Sequence, residues 1–161
     1  MPDFDLPETT RIPVISDTHG LLRPEAKALL ETAPLILHAG DVDRPAILDE
    51  LKSLAPTIVV RGNVDRGGFG ESLPLSEIVY IGGRLIYLCH MLQNIDIDPS
   101  AAGFQPVISG HSHTPGIEER NKVIYLNPGS IGPRRFSLPV SMAILTVTSD
   151  GFDPELITLE V

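Results

Sequence analysis

The sequence predicts a mixed α/β (α+β) fold: two mixed β-sheets packed as a sandwich and flanked by helices. Three observations carry that expectation. Short β-branched runs alternate with helical segments between residues 11 and 60, two-residue turn signals join apolar runs in the second half, and strand-like runs outnumber helical ones.

The first ten residues are polar and proline-containing and are expected to be loosely attached. Arg11–Ser16 reads as a strand. Pro24–Glu31 reads as a helix, with proline in its first turn and Thr32-Ala33-Pro34 beyond its end. Leu35–Ala39 is strand-like, and Arg44–Leu54 repeats the helical design, with Pro45 near the start and Ile47, Leu48, Leu51 and Leu54 on one face. Thr57–Val60 then completes a parallel β-α-β-α-β opening. Antiparallel pairing enters where Gly82-Gly83 joins Leu75–Ile81 to Arg84–Cys89. Pro99 and Gly103 permit only a short helix before the runs Pro106–Ser109 and Lys122–Leu126. Further hairpins are expected at Arg120-Asn121 and at Asp150-Gly151, the latter between Val140–Thr148 and Glu155–Glu160, for nine or ten strands and two clear helices in all.

At 161 residues the chain is expected to form one domain, 1–161. Twelve basic residues against 21 acidic ones give a net charge of -9 without any basic run, which argues against extended nucleic acid or an anionic membrane as partner. The single cysteine, Cys89, cannot form an internal disulfide, no apolar run approaches the ~18 residues of a membrane span, and the acidic N-terminus lacks a signal-like apolar segment. A cytoplasmic protein, monomer or homodimer, is the expectation.

The residues that follow the apolar runs are of one chemical kind. Asp17-Thr18-His19-Gly20 follows the first, Gly40-Asp41 the second, and Arg61-Gly62-Asn63 the third; His90 follows Arg84–Cys89, and Gly110-His111-Ser112-His113 follows Pro106–Ser109. Carboxyl ends of strands are where open α/β sheets bind ligands. An aspartate after a strand is by itself an ordinary turn or cap residue, whereas Gly-His-x-His is more telling, because period-2 spacing turns both imidazoles to one side. Two Asp, one Asn and four His exceed the needs of one ion and suit two ions sharing a carboxylate. Imidazole, carboxylate and amide donors together favour Mn²⁺, with Fe, Zn²⁺ or Ni²⁺ as alternatives, over a thiolate site or an all-oxygen Ca²⁺ cage. Two such ions ~3.5–4 Å apart can hold a bridging hydroxide and clamp a phosphoryl group.

In order and spacing, Asp17-Thr18-His19-Gly20, Gly40-Asp41, Gly62-Asn63-Val64-Asp65, His90 and Gly110-His111-Ser112-His113 resemble the motifs of the calcineurin-like metallophosphoesterases. Asn127-Pro128-Gly129-Ser130 followed by Pro133-Arg134 is similar to the small prokaryotic phosphodiesterase branch of that superfamily. The resemblance, from about residue 12 to 135, implies the two-sheet sandwich read above. It also implies one metal on Asp17, His19, Asp41 and His113 and a second on Asp41, Asn63, His90 and His111, with Asp41 bridging. The activity implied is hydrolysis of a small phosphate ester, a phosphodiester before a monoester, by a metal-bridging hydroxide. Asp41, Asn63 and His111 would act through the metals, and Arg134 would contact the phosphate.

Two departures qualify that activity. Many members place a histidine where this chain has Val64, and valine cannot protonate a leaving group, so leaving groups of low pKa are favoured. Relatives usually continue Gly-His where this chain reads His90-Met91-Leu92, which changes the rim of the site. The rival expectation is a non-catalytic or weakly active scaffold or binding module on the same fold. His38 reads as a satisfied core histidine, Cys89 as a small core residue, and Asp65 as a turn aspartate able to orient a neighbouring loop.

Overall fold

The computed structural model describes residues 1–161. Its elements are β1 (Asp3–Phe4), β2 (Arg11–Ile15), α1 (Pro24–Leu30), β3 (Ile36–His38), α2 (Pro45–Leu54), β4 (Thr57–Val59), α3 (Gly67–Glu71), β5 (Ser76–Ile81), β6 (Arg84–Cys89), a 3₁₀ turn (Leu92–Asn94), α4 (Pro99–Ala102), β7 (Phe104–Ile108), β8 (Gly116–Arg120), β9 (Val123–Asn127), β10 (Ser141–Val147) and β11 (Phe152–Thr158). Two mixed sheets result. Six strands run in the order β1-β5-β6-β7-β9-β8 and five in the order β11-β10-β2-β3-β4.

The expected parallel opening is present: β2 pairs with β3 and β3 with β4. Gly82 and Gly83 both take positive φ in the two-residue turn between β5 and β6, as a type I′ hairpin requires. The turn between β8 and β9 lies one residue later than expected, at Asn121 and Lys122, again both with positive φ. β11 begins at Phe152, upstream of the expected Glu155, because Pro154 sits on a sheet edge where its missing N–H costs no ladder bond. Eleven strands replace the expected nine or ten, and α3 forms despite two glycines in its first turn.

Residues 1–10, expected to be loosely attached, are tied down by backbone. β1 pairs in parallel with β5, and at the end of β10 Thr9 N–H donates to Val147 O while Val147 N–H donates to Thr10 O, both at 2.8 Å. No side-chain pattern announces this contact.

Strand period sorts the side chains into layers. Leu37, Ala143, Leu145, Ile86 and Leu88 face the space between the sheets, while Ile36, Met142 and Ile144 face the helices, where Leu30, Ile47, Leu48 and Leu51 cover them. Tyr87 and Cys89, on the other face of β6, join a smaller outer cluster with Phe104, Val107 and Val123. Both long helices start on proline and lack a side-chain cap, so buried leucines, not capping, fix them.

This packing brings the carboxyl ends of β2, β3 and β4 in one sheet beside those of β6 and β7 in the other. Main-chain hydrogen bonds stitch the emerging loops: Asp17 N–H to Gly40 O, His19 N–H to Asp41 O, and Gly110 N–H to His90 O, at 3.0, 3.0 and 3.1 Å.

Leu37 is fully buried between the sheets. Leu37→Ala is expected to lower unfolding free energy by about 2–5 kcal/mol, read from urea denaturation, whereas a loss under ~1 kcal/mol would contradict this placement.

Candidate metal centre

Five of the seven candidate ligands, Asp17, His19, Asp41, His111 and His113, have φ between 44° and 72°, the left-handed region that non-glycine residues avoid. The chain pays this strain where strands break into tight loops, and it turns successive side chains toward one point. Two glycines make the crowding possible. A Cβ on Gly62 would collide with the Asp41 carboxylate and backbone, and one on Gly110 with Ser16 Oγ and the Asp17 carboxylate.

The donors converge in two groups. In the first, Asp17 Oδ1 lies 3.3 Å from His113 Nε2 and 3.5 Å from His19 Nε2, and the two imidazole nitrogens are 3.2 Å apart. In the second, His90 Nε2 lies 3.2 Å from Asp41 Oδ2 and 2.9 Å from Asn63 Oδ1, and Asn63 Oδ1 is 3.0 Å from His111 Nδ1. Asp41 Oδ2 joins the groups, since His19 Nε2 also stands 3.5 Å from it. Asp17, Asp41, His90 and His113 are buried, His19 is partly buried, and Asn63 and His111 form the open side.

Three of the donors are aimed by their other atom. Asp17 Oδ2 accepts from Ser16 Oγ–H at 2.6 Å and from His111 N–H at 3.1 Å, leaving Oδ1 for the centre. Asp41 Oδ1 accepts the Val64 N–H at 3.0 Å, leaving Oδ2. His90 donates Nδ1–H to the Ala39 carbonyl at 2.7 Å, so its Nε2 carries the lone pair when neutral. Asp65 staples the loops: Oδ2 accepts from the amides of Asp41, Val42 and Gly62, and Oδ1 from that of Asp43. The Asn127-Pro128-Gly129-Ser130 segment acts similarly. Asn127 Nδ2 donates to Gly110 O and Ser112 Oγ, and Ser130 Oγ donates to Asp17 O.

These residues fit divalent cations. Among the converging atoms of the first group, Asp17 Oδ1 is buried without a hydrogen-bond partner. His90 Nε2 and Asn63 Oδ1 are two lone-pair donors at 2.9 Å, a contact that repels unless a cation or a proton mediates it. Ligands at ~2.1 Å from one ion are separated by ~3.0–3.4 Å, close to the 2.9–3.5 Å found across the two groups. The charge balance agrees. Hydrogen bonding to Asp17 raises the pKa of His19, and although burial lowers that of His90, Asp41, Asp17 and the Ala39 carbonyl together outweigh it and raise it overall. Burial likewise opposes ionisation of Asp17, yet its His113, His19 and Ser16 partners hold it far below the usual carboxylate range. The centre demands positive charge.

The other polar residues divide plainly. His38 is fully buried with both nitrogens occupied: Nδ1 accepts the Gly40 N–H at 3.0 Å, and Nε2–H donates to Thr18 Oγ1 at 3.1 Å, so it supports the loop and offers no ligand atom. Burial lowers its pKa to about 4. Burial pushes the Cys89 thiol up to about 11, which removes it as a nucleophile at neutral pH. Arg134 and Arg135 are both exposed on the loop that follows Pro133, and the charge of Arg135 adds a small opposition to protonation of His19. Arg61 spends its guanidinium on the carbonyls of Leu73 and Glu71.

The family profile described as "Calcineurin-like phosphoesterase superfamily domain" matches residues 11–150. A probable metallophosphoesterase of Methanothermobacter thermautotrophicus is 37% identical over 161 aligned residues, covering 91% of each chain. Among solved structures, a novel archaeal phosphodiesterase superimposes with a TM-score of 0.75 at 21% identity, over 92% of this chain and 99% of the other. Vps29 of Chaetomium thermophilum also gives 0.75, at 20% identity, over 92% and 96% of the two chains.

Two outcomes are expected. Asp65→Ala strips four backbone amides of their acceptor and should weaken metal binding about 10–100-fold, measured by competition with a chelating dye; unchanged affinity would separate Asp65 from the centre. His38 is held neutral when folded, so its contribution to stability is complete above pH 6.5 and is lost as pH falls toward about 4. In metal-free protein, the unfolding free energy from urea denaturation should therefore fall less steeply between pH 6.5 and 4.5 for His38→Asn than for wild type, by up to ~1.4 kcal/mol per pH unit.

Proposed function

The chain belongs to the calcineurin-like phosphoesterase superfamily, and on that premise we propose that it is a dinuclear metal-dependent phosphohydrolase preferring small phosphodiesters. The observation that carries this reading is the shared position of Asp41 Oδ2, 3.5 Å from His19 Nε2 and 3.2 Å from His90 Nε2, with its partner oxygen held by the Val64 amide. Asp17, His19, Asp41 and His113 would hold one ion, and Asp41, Asn63, His90 and His111 the other. When bound, divalent ions supply a water activated near neutral pH and neutralise charge on the phosphoryl oxygens.

The protein's own residues do the rest. Buried Asp17 and Asp41 fix the charge that retains the ions, the Ala39 carbonyl sets the His90 tautomer, and the open side at Asn63 and His111 admits the ester. Arg134, with Arg135 beside it, would supply positive charge for the incoming phosphate. Val64 places only an amide and an apolar side chain here, so no histidine protonates the leaving group and esters of acidic alcohols are turned over best. Diester preference draws support from the archaeal phosphodiesterase that shares this fold. We favour Mn²⁺ as the native ion and a cytoplasmic monomer or homodimer; no helix is long and apolar enough to cross a membrane.

Val64 is also what favours a second reading, a binding module that keeps its metals without turnover.

Bis(p-nitrophenyl) phosphate should be hydrolysed by protein carrying two Mn²⁺ per chain, chelator should abolish the rate, and Asp41→Ala or His111→Ala should lower kcat/KM by ~10²–10³-fold. Two ions per chain with no turnover of mono- or diesters would establish the binding module instead.

A further inference from the structure

A cavity of about 470 Å³ opens beside the metal centre, on the face of β6 turned away from the sandwich interior. Gly62, Asn63 and His90 form its inner end, so it is continuous with the second donor group. Buried Tyr87 and Cys89 make its floor, while Leu75, Met91 and Ile95 give it an apolar rim. Leu75 is 69% exposed, an apolar side chain left in water at the mouth.

Polar groups are interleaved among these: Ser76, Asn94 and Asp96. The charged groups deeper in the wall are already engaged, Arg61 by two carbonyls and Asp65 by four amides. Asp96 is exposed at the rim and forms no ion pair.

A phosphoryl group needs little of this space; cavities of ~300–1,000 Å³ accommodate whole organic ligands. An apolar floor and rim with scattered amide and hydroxyl groups suit a planar ring, and the carboxylate of Asp96 disfavours a second anionic group. We propose that this cavity receives the organic group of the ester, an uncharged ring of aryl or heterocycle size, and that Met91 and Ile95 select it. The assignment rests on the phosphoester reading of the adjoining centre.

The test uses protein loaded with diamagnetic Zn²⁺, titrated calorimetrically with phenylphosphonate and methylphosphonate and followed by NMR of ¹³C-methyl methionine. Phenylphosphonate is expected to bind about tenfold tighter or more, the gain that burying a ring brings, and to shift the Met91 methyl resonance, which methylphosphonate leaves in place. Met91→Trp and Ser76→Trp fill the cavity from two walls, Ser76 lying opposite Cys89 in the β5–β6 pair, and each should bring the affinity ratio close to one. Equal affinities in the wild type, an unmoved Met91 methyl, or no binding of either phosphonate overturns the proposal. Ring preference without hydrolysis of any ester would keep the cavity assignment and remove the hydrolase reading; hydrolysis without ring preference would do the reverse.

Discussion

Carboxylate, amide and imidazole donors press to between 2.9 and 3.5 Å of one another at the edge of the two sheets, and Asp17 Oδ1 among them has no hydrogen-bond partner. Crowding lone pairs in this way is unfavourable until a cation is present, so the rest of the protein has to hold the arrangement against its own repulsion. That requirement explains where the strain lies. The left-handed ligand residues lie in loops at the carboxyl ends of β2, β3 and β7, while the strands that launch them are regular and buried.

Resistance to that repulsion comes mostly from the main chain. Asp65 collects amides from both the Asp41 and Gly62 loops, so moving one loop disturbs the other, and Ser130 and Asn127 tie the segments carrying Asp17 and His111 to a third stretch of chain. Gly62 and Gly110 allow these segments to touch where no side chain would fit. The sandwich contributes rigidity in a specific place: parallel neighbours put several strand ends side by side, and a core packed on both faces of each sheet keeps those ends from shifting.

Much of this was legible in the sequence because apolar runs and the polar residues that follow them are local signals. The Asp17–His19 and His111–His113 segments could be read as strand ends without knowing what lay opposite. Contacts made by backbone alone were not legible. β1 is two residues on a sheet edge, β8 alternates too few apolar side chains to stand out, and β11 hides its start behind Pro154. Asp65 was visible as a turn residue able to orient a neighbouring loop, but not the loop it holds, since three of its four amide partners lie in the loop after β3 and meet it only in three dimensions.

Val64 has a consequence beyond proton transfer. Its contribution to the centre is an N–H, which every residue except proline possesses, while its side chain is only half-buried. The scaffold therefore separates assembly from chemistry at this position: the peptide bond secures Asp41, and the side chain is left open to variation. A change of side chain at this position leaves the amide that secures Asp41 in place, so the surroundings of the donor groups can vary without rebuilding them.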